Sequence, residues 1–124
     1  MALIVRVSQD RDWTRTVHLR GRLDSESVAL LDAELGQLAD APVDVVIFDL
    51  ADLEYISSAG LRSIFATRQA LAARSGRIVL LNARPQVQKV FDIIQAADLA
   101  AVFSSVAELD GYLDAMQRKV VEGE

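Results

Sequence analysis

The sequence predicts a single α/β domain: a mixed, mostly parallel β-sheet with alternating helices. Three observations predict it. Short apolar, β-branched runs alternate with amphipathic stretches along the 124 residues. The later loops are short, so successive parallel strands need crossover helices between them. The first two strands are joined by a polar turn and should pair antiparallel.

In chain order, "ALIVRVS" and "TRTVHLRGRL" alternate as strands around the turn "QDRDW". "DSESVALLDAELGQLAD" reads as a helix, with Asp24 or Ser25 as first-turn acceptor and Val28, Leu31, Leu35 and Leu38 as its apolar stripe. Val43 to Leu50 is a β-branched-rich run suited to a strand buried on both faces. Leu61, Ile64, Phe65 and Leu71 then recur at helical spacing, and Gly76 closes that helix. "RIVLLNA" is the next expected buried strand. Pro85 opens a helix carrying Val87, Val90, Phe91 and Ile94. "LAAVF" reads as a short strand, with Phe103 in the core, and a last helix follows, capped by Ser104 or Ser105. Residues 1–117 are expected to form the domain and 118–124 a frayed tail.

Acidic residues outnumber basic ones 18 to 13, for a formal net charge of -5. That balance disfavours nucleic acid, which needs clustered Lys and Arg. Cysteine is absent, which removes disulfides and thiolate metal sites and suits a reducing compartment. The start, "MALIVRVSQDRD", lacks the pattern of a signal peptide, and no apolar run is long enough to span a bilayer. The expected setting is cytoplasmic, without membrane insertion.

The stretch that stands out is "LEYISSAGLRSIF", where two hydroxyls sit at a strand-to-helix junction, the place where open α/β sheets gather functional groups. Either serine can cap the following helix, worth about 1 kcal/mol. Gly60 in a first turn costs about 1 kcal/mol relative to Ala, so something is expected to approach the backbone there, a neighbouring loop or a partner. With Ala59 and Gly60 beside them, Ser57 and Ser58 suggest an accessible, flat docking point. A catalytic serine would need a base within reach. The one histidine, His18, lies mid-strand, and "SSAG" is neither a nucleophile elbow nor part of an S-x-x-K motif. No enzyme activity and no cofactor are expected. Glu108, Asp110 and Asp114 read as a solvated helix face, and Trp13 as an aromatic covering a sheet edge or making a contact.

"GRLDSESV", "VVIFDLADLEYISSAGLRSI" and "VQKVFDIIQAADL" together resemble the STAS domain, and more closely the free-standing bacterial anti-sigma factor antagonists. The likeness runs over nearly the whole chain, and the family's mixed sheet with alternating helices agrees with the periodicity. The resemblance implies phosphorylation at Ser58. Many members have Asp in the position before it, where this chain has Ser57, the alternative acceptor. It further implies a partner-binding face made of Asp24, Asp49, Ser57, Ser58, Ala59, Gly60 and Arg62. Asp49 would lie at the end of the third strand and support that face.

The partners implied are an anti-sigma factor that is also a serine kinase of the histidine-kinase-like ATPase type, and a PP2C-type phosphatase. A neutral Ser58 would let the partner close over it. A phosphate brings about -1.5 to -2 charges, tolerable at a helix N-terminus and within reach of Arg62, but costly at an interface. The rival reading is a STAS subunit of a lipid-transport ABC system, an interaction role without a phosphorylation cycle.

Overall fold

A computed structural model describes residues 2–11, 13–39, 41–96 and 105–123. Among them are strands β1 (Ile4–Arg11), β2 (Thr14–Leu23), β3 (Val45–Ile56) and β4 (Arg77–Leu81), and helices α1 (Val28–Ala39), α2 (Ser58–Ala72), α3 (Pro85–Ala96) and α4 (Val106–Val121). The sheet order is β1-β2-β3-β4. β1 pairs antiparallel with β2, and β2, β3 and β4 run parallel, as the loop lengths require. The expected strand "LAAVF", Phe103 and Ser104 lie outside the described residues.

Alternation along β2 sends Val17, Leu19 and Leu23 inward, and along β3 Val46, Phe48, Leu50 and Leu53. The helices close this core with Leu31 of α1, Leu61, Ile64 and Leu71 of α2, Val87, Val90 and Phe91 of α3, and Leu113 and Met116 of α4. Val28, Leu35 and Leu38 pack against it less deeply. Phe65 and Phe91 meet edge to face, with ring centroids 6.2 Å apart.

Four elements differ from expectation. β3 continues past Leu50 to Ile56, because irregularities in its pairing with β2, between His18 and Arg20 and between Gly21 and Arg22, absorb extra β3 residues. These shifts return Leu53, Tyr55 and Ile56 to the core although Ala51 and Asp52 interrupt the apolar run. β4 is half-exposed rather than buried, since among the described strands it has a neighbour on one side only. Gly76 does not end α2: the helix stops at Ala72, Ala73 is its C-cap and Ser75 takes the left-handed conformation. Gly76 is required for another reason. A Cβ there would stand 2.3 Å from the Asp44 carbonyl oxygen, where the chain enters β4 beside β3. Finally, α4 runs on to Val121, beyond the expected boundary at residue 117. Arg118 and Lys119 in its last turn suit the helix dipole, and Arg118 pairs with Asp114 one turn back.

Trp13 occupies the β1–β2 turn at φ 71° and is 56% exposed. Its carbonyl accepts from the Asp44 and Val45 amides, tying the turn to the start of β3.

Candidate functional site

The site lies where β3 hands over to α2. The Ser57 amide donates to the Leu23 carbonyl at 2.9 Å, which sets the end of β2, and with it Asp24, beside the serine pair. Ser57 is the N-cap of α2: its backbone is extended (φ -98°, ψ 176°) and its Oγ accepts from the Gly60 amide at 3.4 Å. The Ser57 carbonyl accepts from the Leu61 amide, the first turn of the helix. Ser58 is the first helical residue. Its amide donates to Asp110 Oδ1 at 2.8 Å, so a carboxylate from α4 already sits at the positive end of α2.

The expected open landing point is not open. Ser57 is 4% exposed and Ser58 8%. Ser58 Oγ is buried and has no hydrogen-bond partner among the described residues. The two hydroxyls therefore differ sharply: Ser57 is committed to the cap, and Ser58 is committed to nothing.

Of the two expected causes for Gly60, a neighbouring segment or a partner, the structure shows a close approach from within the chain. A Cβ on it would lie 2.6 Å from Leu23 Cγ and 3.0 Å from Ile56 Cγ1. The protein's own core fills that space. Ala59 is half-buried beside it, and Arg62 is exposed on the next turn, on the rim of a groove between α1 and α2. Across that groove, Ser63 Oγ donates to Asp32 Oδ1 at 2.6 Å.

Asp24 holds the loop entering α1: its Oδ1 accepts from the Glu26 amide at 3.0 Å and the Ser27 amide at 3.1 Å. Its Oδ2 stands 3.9 Å from Arg22 Nε, and the Arg22 guanidinium lies 4.0 Å over the centre of the Tyr55 ring. Asp49 is not part of this cluster. It sits mid-strand, out of phase with Phe48 and Leu50, with its Oδ2 3.2 Å from His18 Nδ1. At about 3.3 Å per residue along β3, it is roughly 20 Å from Ile56. The structure thus gathers Asp24, Ser57, Ser58, Ala59 and Gly60, with Arg62 one turn away, and places Asp49 elsewhere.

Three further residues build the corner. Gln117 of α4, 2% exposed, accepts from the Ile56 amide (3.0 Å) and donates to the Ile56 carbonyl (2.8 Å), completing the end of β3. Its Nε2 also lies 3.2 Å from the Leu113 carbonyl. Asp110 is an N-terminal partner of α2, not part of a purely solvated face. Tyr55 of β3 shares a pocket wall with Gln117. The signal for Gln117 was present: it is a polar residue on the stripe of Leu113, Met116 and Val120. Asp110 carried no such signal.

Burial raises the Tyr55 pKa above 10.0, and Asp114 and Asp110 add to the rise, with Arg22 opposing it. Between the unfolded and the raised folded value, the native state holds the proton and the unfolded state does not. The stability that Tyr55 contributes is present below about pH 10 and is lost as pH rises through the folded value. An ultraviolet phenolate titration should show one tyrosine ionising late, and Tyr55→Phe should remove that phase. No helix among the described residues is long and apolar enough to cross a membrane.

The class this architecture defines is a small α/β domain that presents a serine at the start of its second helix. A model of the STAS domain matches residues 5–109, and the chain belongs to that family. Among relatives, it is 39% identical over 75 residues to a putative anti-sigma factor antagonist, BtrV, of Bordetella bronchiseptica, covering 60% of this chain and 65% of that one. It is 30% identical over 79 residues to the anti-sigma F factor antagonist of Lysinibacillus sphaericus, covering 63% of this chain and 68% of the other. The matched region is thus about two thirds of each relative's length. Among solved structures, the anti-sigma factor antagonist SpoIIAA in its unphosphorylated form aligns with TM-score 0.64 and 26% identity over 72% of this chain and 82% of that one. Its phosphorylated form aligns equally well, at 25% identity over 73% and 82%.

Proposed function

We propose that this protein is an anti-sigma factor antagonist whose binding face is the Ser58 corner, switched off by phosphorylation of Ser58. The relatives named as antagonists support the general role. The observation that carries the switch is the uncommitted Ser58 hydroxyl at the N-terminus of α2, next to a Ser57 hydroxyl that is already used as a cap. That contrast favours Ser58 over Ser57 as the acceptor.

In the unmodified state the corner is small and neutral, and Asp24, Ala59 and Arg62 surround it with a mixed polar rim. Phosphorylation adds about -1.5 to -2 charges beside Asp24 and Asp110 in a chain of net charge -5. Within the free protein, first-turn amides and Arg62 offset that charge. Within an interface it must be desolvated against like charges, and binding weakens without refolding. The partner in this reading is a cytoplasmic anti-sigma factor that is also a serine kinase of the histidine-kinase-like ATPase type. A PP2C-type phosphatase resets the serine.

The test is to incubate the protein with that kinase and ATP and map the modified peptide by mass. A single phosphoryl group on Ser58, absent from Ser58→Ala, is expected. Modification at any residue other than Ser57 or Ser58 would defeat the reading, and Ser57 alone would move the acceptor by one position.

A further inference from the structure

A sheet has two faces, and the helices take one of them. The buried side chains of α1, α2, α3 and α4 form one cluster with Val17, Leu19, Val46 and Phe48. Every helix among the described residues turns its apolar stripe to that face. Residues one position along each strand point the other way: Arg6 on β1, His18 and Arg20 on β2, Asp49 on β3, Val79 and Leu81 on β4. We propose that this open face docks a second copy of the chain, face to face, about a twofold axis running along the β2–β3 seam.

The charges on the open face are sorted by strand. β1 and β2 present Arg6, His18 and Arg20, and β3 presents Asp49 and Asp52, around one shallow concavity. Strand pairing puts His18 level with Asp49 and Arg20 level with Asp52. His18 and Asp49 meet within the chain at 3.2 Å. Arg20 and Asp52 do not meet, although both are exposed. Arg20 forms no ion pair among the described residues, and Asp52 has the Arg84 guanidinium no nearer than 4.0 Å. A twofold axis along the seam exchanges β2 with β3 and keeps the level along them. It therefore sets Arg20 of each copy on Asp52 of the other, so one surface is its own complement. An axis along β2 would instead set Arg20 on Arg20.

The face also has apolar surface to bury. Ile4 is 52% exposed and Leu81 42%, and Ile47 and Val79 are half-buried between them. Arg6 and Leu81 lie at one level, and the same axis exchanges β1 with β4. The aliphatic stem of Arg6 from each copy therefore covers Leu81 of the other. The area is small. Strands about 4.8 Å apart and residues about 3.3 Å apart make the face roughly 20 by 20 Å. That is about half of the ~800 Å² per partner buried in stable dimers, so the dimer is weak, with a dissociation constant on the order of 100 μM. Ser58 opens α2 on the helix side of the sheet, so pairing here leaves that corner free.

Analytical ultracentrifugation of the isolated chain, from about 10 μM to about 1 mM, tests the pairing across the expected constant. The unsubstituted chain should pass from monomer to dimer over that range. Arg20→Asp sets two carboxylates together at both contacts, and Asp52→Arg sets two guanidiniums together. Each variant alone should dimerise about tenfold more weakly, or worse. The two substitutions move the net charge of -5 in opposite directions, so overall repulsion cannot weaken both. An equimolar mixture of the two variants should associate as well as the unsubstituted chain. In the mixed pair one contact keeps Arg20 on Asp52, and the other carries the same pair reversed. Arg68→Asp, an exposed change on α2, should leave association unaltered. A chain that stays monomeric to about 1 mM overturns the proposal. So does a mixture that associates no better than its components, or an Arg68→Asp chain weakened as much as Arg20→Asp. Ser58→Asp should dimerise normally, so a failed dimer and a failed phosphorylation switch give different results.

Discussion

Ser58→Asp is expected to weaken capture of the cognate anti-sigma factor about a hundredfold, and Ser58→Ala to bind at least as well as the unmodified chain. The hundredfold corresponds to about 3 kcal/mol. It arises because a carboxylate at this corner must give up its water against Asp24 and Asp110, whereas the bare hydroxyl gives up little. Titration calorimetry with the purified pair measures both variants. Ser58→Ala carries a second expectation from the geometry. The hydroxyl is buried with no hydrogen-bond partner among the described residues, a state that costs about 1–3 kcal/mol. Removing it should raise the thermal midpoint, so the alanine variant should be more stable as well as unmodifiable. Equal affinities for the aspartate and alanine variants would refute the charge switch.

Gly76→Ala should be strongly damaging although it adds a single methyl. Its Cβ would meet the Asp44 carbonyl oxygen at 2.3 Å and the carbonyl carbon at 3.1 Å. Both are backbone atoms, so no side chain can swing aside to relieve the contact. The same carbonyl accepts from the Arg77 amide at 2.8 Å, so pushing it away also loosens the first β3–β4 rung. Overpacking of this kind costs about 3 kcal/mol, which lowers the thermal midpoint by on the order of 10 °C in a domain of this size. Gly36→Ala should move the midpoint the other way, by about 1 kcal/mol, because α1 gains helix propensity and nothing is crowded. If the two substitutions shift the melting curve alike, the close approach at Gly76 is not what fixes that residue.

Much of the architecture was legible because it follows from period and loop length alone. Val17, Leu19 and Leu23 alternate, Val87, Val90 and Phe91 recur at helical spacing, and each pattern found its matching element. What failed did so where neighbours set the outcome. β3 looked finished at Leu50 because Asp49, Ala51 and Asp52 break its apolar run, and the irregularities that bring Leu53 and Ile56 back inward depend on pairing with β2. Gly60 pointed to a close approach by a neighbouring loop or a partner because first-turn glycine is unfavourable, and Leu23, more than thirty residues earlier, is what occupies the space. Asp49 was grouped with the serines and proved to partner His18 instead. Asp110 looked like surface acid because nothing local tells it from Glu108 or Asp114.

From the sequence alone came the alternating elements, the antiparallel opening pair, the family and the two serines at the β3–α2 corner, since all of these are written in local spacing and residue type. Only the tertiary structure assigned those serines different states, giving Ser57 a cap bond and leaving the Ser58 hydroxyl buried with no hydrogen-bond partner among the described residues. The reason is distance along the chain. Asp110 and Gln117 lie more than fifty residues from the amides they satisfy, at Ser58 and Ile56, and such pairings exist only once the helix has docked.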